Sequence, residues 1–239
     1  MATGINLDSE TTASQCEACI QGKQTREDIP KKGKNEVSQP GELVTSDVWG
    51  KSPVKSLTGE EYYVSFIDVA TRFSLVTFLK RKSDVLATFK DYHAFIETQM
   101  GNKIKHLRSD NRGEYVNEEF KTYCKEHSIH IEYTAPHSPH QNGIAERFNR
   151  VTVEGARTLL IQKDLPKSLW AEAIRHVTYL KNRTLYRALT KNITLYEVFT
   201  KKKPNLDGIQ EFGTKCWVLD RTNTDKLACK SHKAMFVGY

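Results

Sequence analysis

Three strand-like runs follow one another directly, and after them strands alternate with helices; few folds accommodate that order. Residues 42–49 (ELVTSDVW) alternate, with Leu43, Thr45 and Asp47 on one side. Residues 62–69 (YYVSFIDV) and 73–79 (FSLVTFL) are rich in β-branched and aromatic residues, and Thr58-Gly59 and Thr71-Arg72 mark the turns. Ser83 then predicts a helix start, Val85, Phe89, Tyr92 and Ile96 keep a helical period, and Gly101 ends it. A short strand over 104–109 delivers Asp110 at its C-terminal edge. A helix over 118–126, a strand over 129–133 and a loop over 135–141 with Pro136 and Pro139 come next. A long helix runs from near Asn142 to about Lys163, and another from Lys167 to about Arg183 buries Trp170, Ala173, Val177 and Leu180. The order β-β-β-α-β-α-β-α-α predicts an α/β domain: a mixed five-stranded sheet with flanking helices.

Around that domain the composition changes. Residues 1–40 are polar and read as a disordered tail; 41–200 form the core; 201–239 begin with Lys201-Lys202-Lys203 and hold strand-like pieces at 216–219 and 234–238. The formal net charge of +7 favours an anionic partner. Cys16, Cys19, Cys124, Cys216 and Cys229 are odd in number and follow no secretory leader, so a reducing, intracellular setting is expected rather than a disulfide framework. No apolar run approaches the length of a membrane span, and no membrane partner is expected.

Three carboxylates stand out by position: Asp47 near the end of the first strand, Asp110 just past the fourth, and Glu146 in the first turns of the long helix, with 35 residues between the last two. In a mixed sheet the first and fourth strands can be neighbours, and a helix across that edge adds the third group. Crowded carboxylates repel unless cations hold them, and hard oxygen ligands suit Mg²⁺ or Mn²⁺. Two such ions about 4 Å apart would activate one oxygen and stabilise the leaving one in an in-line displacement. At about 100° per residue, Asn142, Glu146, Arg150, Val153 and Arg157 share a stripe with Asn149 at its margin, opposite a core face of Ala145, Phe148, Thr152, Ala156 and Leu159. Amides and guanidiniums beside a carboxylate suit a phosphate backbone, so Asn142, Asn149, Arg150 and Arg157 are expected to bind nucleic acid. Against this, isolated Asp and Glu are mostly solvated surface groups. Asp68 reads as a turn residue, Glu114 as a surface group, and His137 and His140 as solvated loop residues.

Longer motifs are more specific than spacing. LRSDNRGEY (107–115), PHSPHQNGIAERFNR (136–150), FIDVATRF (66–73), LPKSLWAEAIRHVTYLKNR (165–183) and LYEVFTKKKPNLDGIQEFG (195–213) closely resemble the integrase core of Ty1/copia-type retrotransposons. The resemblance covers roughly residues 16–239 and implies an RNase H-like fold, with a D,D-35-E triad at Asp47, Asp110 and Glu146 as catalytic and metal-binding residues. It implies DNA 3′-end processing and strand transfer, element ends and target DNA as partners, a homo-oligomer, and action in the nucleus. EFGTKCWVL and KAMFVGY look like the start of the family's small SH3-like β domain, cut short at Tyr239.

The sequence also departs from the family. Cys16 and Cys19 match half of its zinc module, but the first histidine is His93; a tetrahedral site needs four ligands, so Zn²⁺ is not expected to bind this chain alone. Arg112 stands where the family commonly has Gly, and Val69 replaces a frequent Asp. The chain reads as a piece of a polyprotein, or as a decayed or domesticated copy. The alternatives are a catalytically impaired DNA-binding remnant and a hydrolytic nuclease on the same fold.

Overall fold

Strand β1 (Leu43–Gly50) lies at the middle of the sheet, and the site depends on that position. In the computed structural model the order is β3-β2-β1-β4-β5, with β2 at Tyr62–Asp68, β3 at Ser74–Leu79, β4 at His106–Ser109 and β5 at His130–Tyr133. Strand β1 runs antiparallel to β2 and parallel to β4, and β5 joins parallel to β4. The expected five-stranded mixed sheet is therefore present, with the first and fourth strands adjacent. The structure describes residues 37, 39–111, 113–134, 142–186, 193–221 and 229–239.

Side-chain alternation sorts the sheet into two faces. Val44 and Val48 of β1, Val64 and Phe66 of β2 and Leu107 of β4 point to one side. There they pack against α1 (Val85–Met100) and α3 (Glu118–Glu126) through Phe89, Tyr92, Ile96 and Phe120. Phe66 stacks on Tyr92 with centroids 4.5 Å apart. Each such fully buried ring contributes about 2 to 3 kcal/mol of transfer free energy. Trp49 of β1 and Tyr63 of β2 point the other way, toward α4 (Gly143–Gln162) and α5 (Trp170–Arg183), and pack with Ala156, Trp170 and Ile174. With both faces covered, the apolar strand runs are buried on both sides.

Helix α1 ends where expected: Gly101 takes φ 64°, its N–H caps the Glu97 carbonyl, and the Asn102 N–H caps that of Ile96. It starts later than Ser83, which lies inside a 3₁₀ turn over Lys82–Asp84. Strand β4 begins two residues later than expected. Two short helices went unforeseen, α2 (Gly113–Val116) and α6 (Leu195–Thr200), each too brief to reveal a period. On α5, Trp170 and Ala173 are buried as expected, but Val177 and Leu180 are only half-buried; His176, at 1% exposure, takes the inner position. Beyond the core, β6 (Lys215–Leu219) and β7 (Ser231–Met235) pair as a two-stranded antiparallel sheet. Among the described residues no helix is long and apolar enough to cross a membrane.

Candidate active site

The two sheet carboxylates are brought to one edge by register. Thr45 of β1 pairs with Arg108 of β4 in parallel, so Asp47 and Asp110 each stand two residues beyond the same rung. Alternation puts Asp47 on the α4 side, with Thr45 and Trp49; carried two residues past Arg108, it sets Asp110 on that side too. Both carboxylates act on one buried group. The Tyr115 hydroxyl is held well above the usual phenol range, first by burial and then by the charges of Asp47 and Asp110. That hydroxyl is 2.7 Å from Ser46 Oγ, directly behind Asp47.

Helix α4 is fastened to β1 and β2 by side-chain amides. Thr45 Oγ1 donates to Asn142 Oδ1 at 2.6 Å, Asn149 Nδ2 donates to Asp47 Oδ2 at 2.8 Å, and Tyr63 Oη donates to Asn149 Oδ1 at 3.0 Å. Seven residues make about two turns, so Asn142 and Asn149 lie on one stripe, as Thr45 and Asp47 do on the strand. Glu146 lies between the two asparagines along the helix and is exposed. A cleft of about 410 Å³ opens there, lined by Asp47, Val48, Trp49, Gly50, Lys51, Glu146 and Asn149. Asp47 and Glu146 thus face the same space from β1 and α4; Asp110 stands at the neighbouring strand end and does not line it. Among the described residues, no three His, Cys, Asp or Glu side chains are close enough to share one metal ion.

The expected phosphate-binding stripe divides. Arg150 and Arg157 are exposed beyond Glu146. Asn142 and Asn149, expected on the same outward stripe, are only 5% and 6% exposed and turn their amides inward. The buried arc of α4 comprises Ala145, Phe148, Asn149, Thr152, Ala156 and Leu160, with Leu160 rather than Leu159 completing it. It is rotated toward the asparagines because hydrogen-bond partners on β1 and β2 offset the cost of burying their amides.

Other candidates resolve into structural roles. Asp68 is fully buried and accepts the Gly41 and Thr71 N–H groups, both at 2.7 Å, and the Thr71 hydroxyl at 2.6 Å, which fixes the β2–β3 turn. Burial raises its pKa despite those bonds. Glu114 pairs with Lys82 at 2.7 Å. Cys16, Cys19, Arg112, His137 and His140 lie outside the described residues. Tyr63, Trp49 and Lys51 escaped the sequence reading; the signal for Trp49 was its place two residues after Asp47, on the same strand face.

Comparison with known proteins fits this arrangement. Residues 37–139, which include Asp47 and Asp110, match the integrase core domain family. Over 236 residues, 98% of the chain, it is 39% identical to the retrovirus-related Pol polyprotein from transposon TNT 1-94 of Nicotiana tabacum. It is 34% identical over 225 residues, 94% of the chain, to the Pol polyprotein from transposon RE1 of Arabidopsis thaliana. These alignments cover only 18% and 15% of those relatives, so the chain spans less than a fifth of their length. Among solved structures, the HTLV-2 integrase catalytic core domain in complex with magnesium superposes with a TM-score of 0.50 at 18% identity, over 67% of this chain and 97% of that one. The simian T-cell lymphotropic virus intasome in complex with PP2A regulatory subunit B56 gamma superposes with a TM-score of 0.61 at 17% identity, over 92% of this chain and 76% of that one. The fold is therefore that of the retroviral integrase core, RNase H-like, and integrase core domains generally use a divalent metal in catalysis. By motif and by sequence kinship, residues 37–139 match the integrase core domain family, and most of the chain is similar to the Pol polyproteins of Ty1/copia-like plant transposons.

Proposed function

We propose that this chain is the catalytic core of a DNA strand transferase of the DDE type, acting on the 3′ ends of element DNA and joining them to target DNA. The observation that carries the reading is the shared cleft of Asp47 and Glu146, with Asp110 two residues beyond the Thr45–Arg108 rung. Carboxylate oxygens suit Mg²⁺ or Mn²⁺ rather than a thiolate- or imidazole-seeking metal. Asp47, Asp110 and Glu146 are the residues proposed to hold a two-metal centre. When bound, such ions lower the cost of charge on the attacking and leaving oxygens of a phosphodiester.

The chain's own residues supply positioning. Asn149 restrains the Asp47 carboxylate, and the Thr45–Asn142 bond fixes the start of the helix that carries Glu146. Arg150 and Arg157, exposed on the same helix, supply charge for a phosphate backbone near the cleft. Lys51 stands at the cleft mouth but is paired with Glu61 at 3.2 Å, so its charge is partly spent. Element ends and target DNA, a homo-oligomeric assembly and action in the nucleus belong to the same proposal. So does an SH3-like setting for the β6–β7 pair.

The test is incubation with labelled element-end DNA and Mn²⁺, comparing wild type with Asp110→Asn. Wild type should yield strand-transfer products and the variant none above background. Activity of the variant within about tenfold of wild type, about 1.4 kcal/mol of barrier, would overturn the assignment of Asp110. Cleavage without joining would point to a nuclease, and a mobility shift without products to a DNA-binding remnant.

A further inference from the structure

Tyr63 is a fully buried tyrosine on β2 whose hydroxyl reaches past the sheet to α4. Its ring is stacked on Trp49 with centroids 5.3 Å apart and lies 6.2 Å from Phe78, so its position is fixed by packing. The hydroxyl donates to Asn149 Oδ1 at 3.0 Å, and Asn149 Nδ2 donates to Asp47 Oδ2 at 2.8 Å. Three elements, β2, α4 and β1, are therefore joined in one line that ends on a carboxylate facing the cleft.

The direction of this line is dictated by chemistry. An ionised carboxylate can only accept, so Asn149 must present its NH₂ to Asp47. Its carbonyl oxygen then faces Tyr63, whose hydroxyl must donate. Without that donor, a buried amide oxygen is left unsatisfied, at a cost comparable to the gain of the amide–carboxylate bond. The amide is then free to turn over and set its oxygen against the carboxylate.

We propose that Tyr63 is a positioning residue for the reaction: through Asn149 it fixes the orientation of the Asp47 carboxylate in the cleft. This rests on the strand-transfer reading of that cleft. Tyr63 touches neither substrate nor metal; it acts by denying Asn149 its flipped state. Groups that orient a metal-binding carboxylate in this way are typically worth about 10- to 100-fold in activity.

The test is a double-mutant cycle with Tyr63→Phe, Asn149→Ala and the pair. Phenylalanine keeps the ring and its packing and removes only the donor. Tyr63→Phe should lower the strand-transfer kcat about tenfold while KM for DNA stays within about twofold. In the Asn149→Ala background it should cost nothing further, because the amide it acts through is gone. Both readings lower the urea midpoint; a merely structural role would leave kcat per folded molecule unchanged or give additive effects. A second readout needs no turnover: on the protein without DNA, Tyr63→Phe should move the ¹³C carboxyl resonance of Asp47 and the side-chain amide resonances of Asn149. Additive losses, an unchanged kcat, or an unmoved Asp47 carboxyl signal would overturn the proposal. If wild type transfers no strand while the carboxyl signal still moves, the reading of the cleft fails and the hydrogen-bonded line stands.

Discussion

Two carboxylates sit three rungs apart on the β1–β2 ribbon and meet opposite fates. Asp68, opposite Val44, points to the α1 side, and its oxygens take two backbone N–H groups and one hydroxyl. Asp47, opposite Ser65, points to the α4 side and lines an open cleft. Burial alone does not mark function: the more buried of the two is the structural one. What separates them is where their acceptor capacity goes. Asp68 spends it on backbone donors within its own turn and on Gly41. Asp47 is steadied by a side-chain amide from another element and still faces space large enough for a substrate.

Exchanging the two roles is the strongest way to break this contrast. Asp47→Asn should reduce strand transfer by more than about a thousandfold, with a thermal midpoint within a few degrees of wild type. Asp68→Asn should do the reverse. An amide NH₂ would face one of its donors, costing about 1 to 3 kcal/mol of stability. That corresponds to a drop of roughly 3 to 10 °C in midpoint, with kcat per folded molecule nearly unchanged. Full stability with lost catalysis in Asp68→Asn would erase the distinction.

The cleft end can be sharpened with salt. Replacing Arg150 and Arg157 together by Ala should weaken binding to unrelated DNA sequences alike and flatten the log–log salt dependence by about one to two units. An unchanged slope, measured by fluorescence anisotropy, would place the DNA on another face.

The smallest effect probes the closed end. Half-buried Lys181 of α5 stands 4.3 Å from the Phe148 ring centroid and 3.5 Å from Ser74 Oγ. Burial, aided by the charge of Arg72, pushes its pKa down to about 8. Between about 8 and the ordinary lysine value near 10.4, the unfolded chain keeps a proton that the folded chain has released, so this group makes stability rise with pH across that window. Partial exposure limits the gain to about 1 kcal/mol. Urea midpoints at pH 7.5 and 10 should therefore climb more in wild type than in Lys181→Met; equal changes would mean this end is wetter than its packing suggests.

Much of this was legible from residue order. The apolar, β-branched runs of β2 and β3 read as strands, and the succession of elements allowed β1 and β4 to be neighbours, which brings Asp47 and Asp110 to one edge. The reading went astray where polar residues face inward. Helical periodicity treats Asn142 and Asn149 as outward because amides are costly to bury; Thr45, Tyr63 and Asp47 remove that cost, and they belong to distant segments that no local pattern connects. His176 hides for a related reason: it lies within a polar stretch of α5, yet packs inside against Phe212 and the Tyr239 ring.

The two asparagine bonds also change what the count of 35 means. Glu146 owes its place to a helix anchored on β1 at Thr45 and again at Asp47, not to the length of chain that leads to it. A flexible connection adds closure entropy only logarithmically with its length, about 0.6 kcal/mol per doubling. The number of residues between Asp110 and Glu146 can therefore change as long as the anchors persist. Lineages that kept the anchors could vary the count, and a search by spacing alone would overlook them.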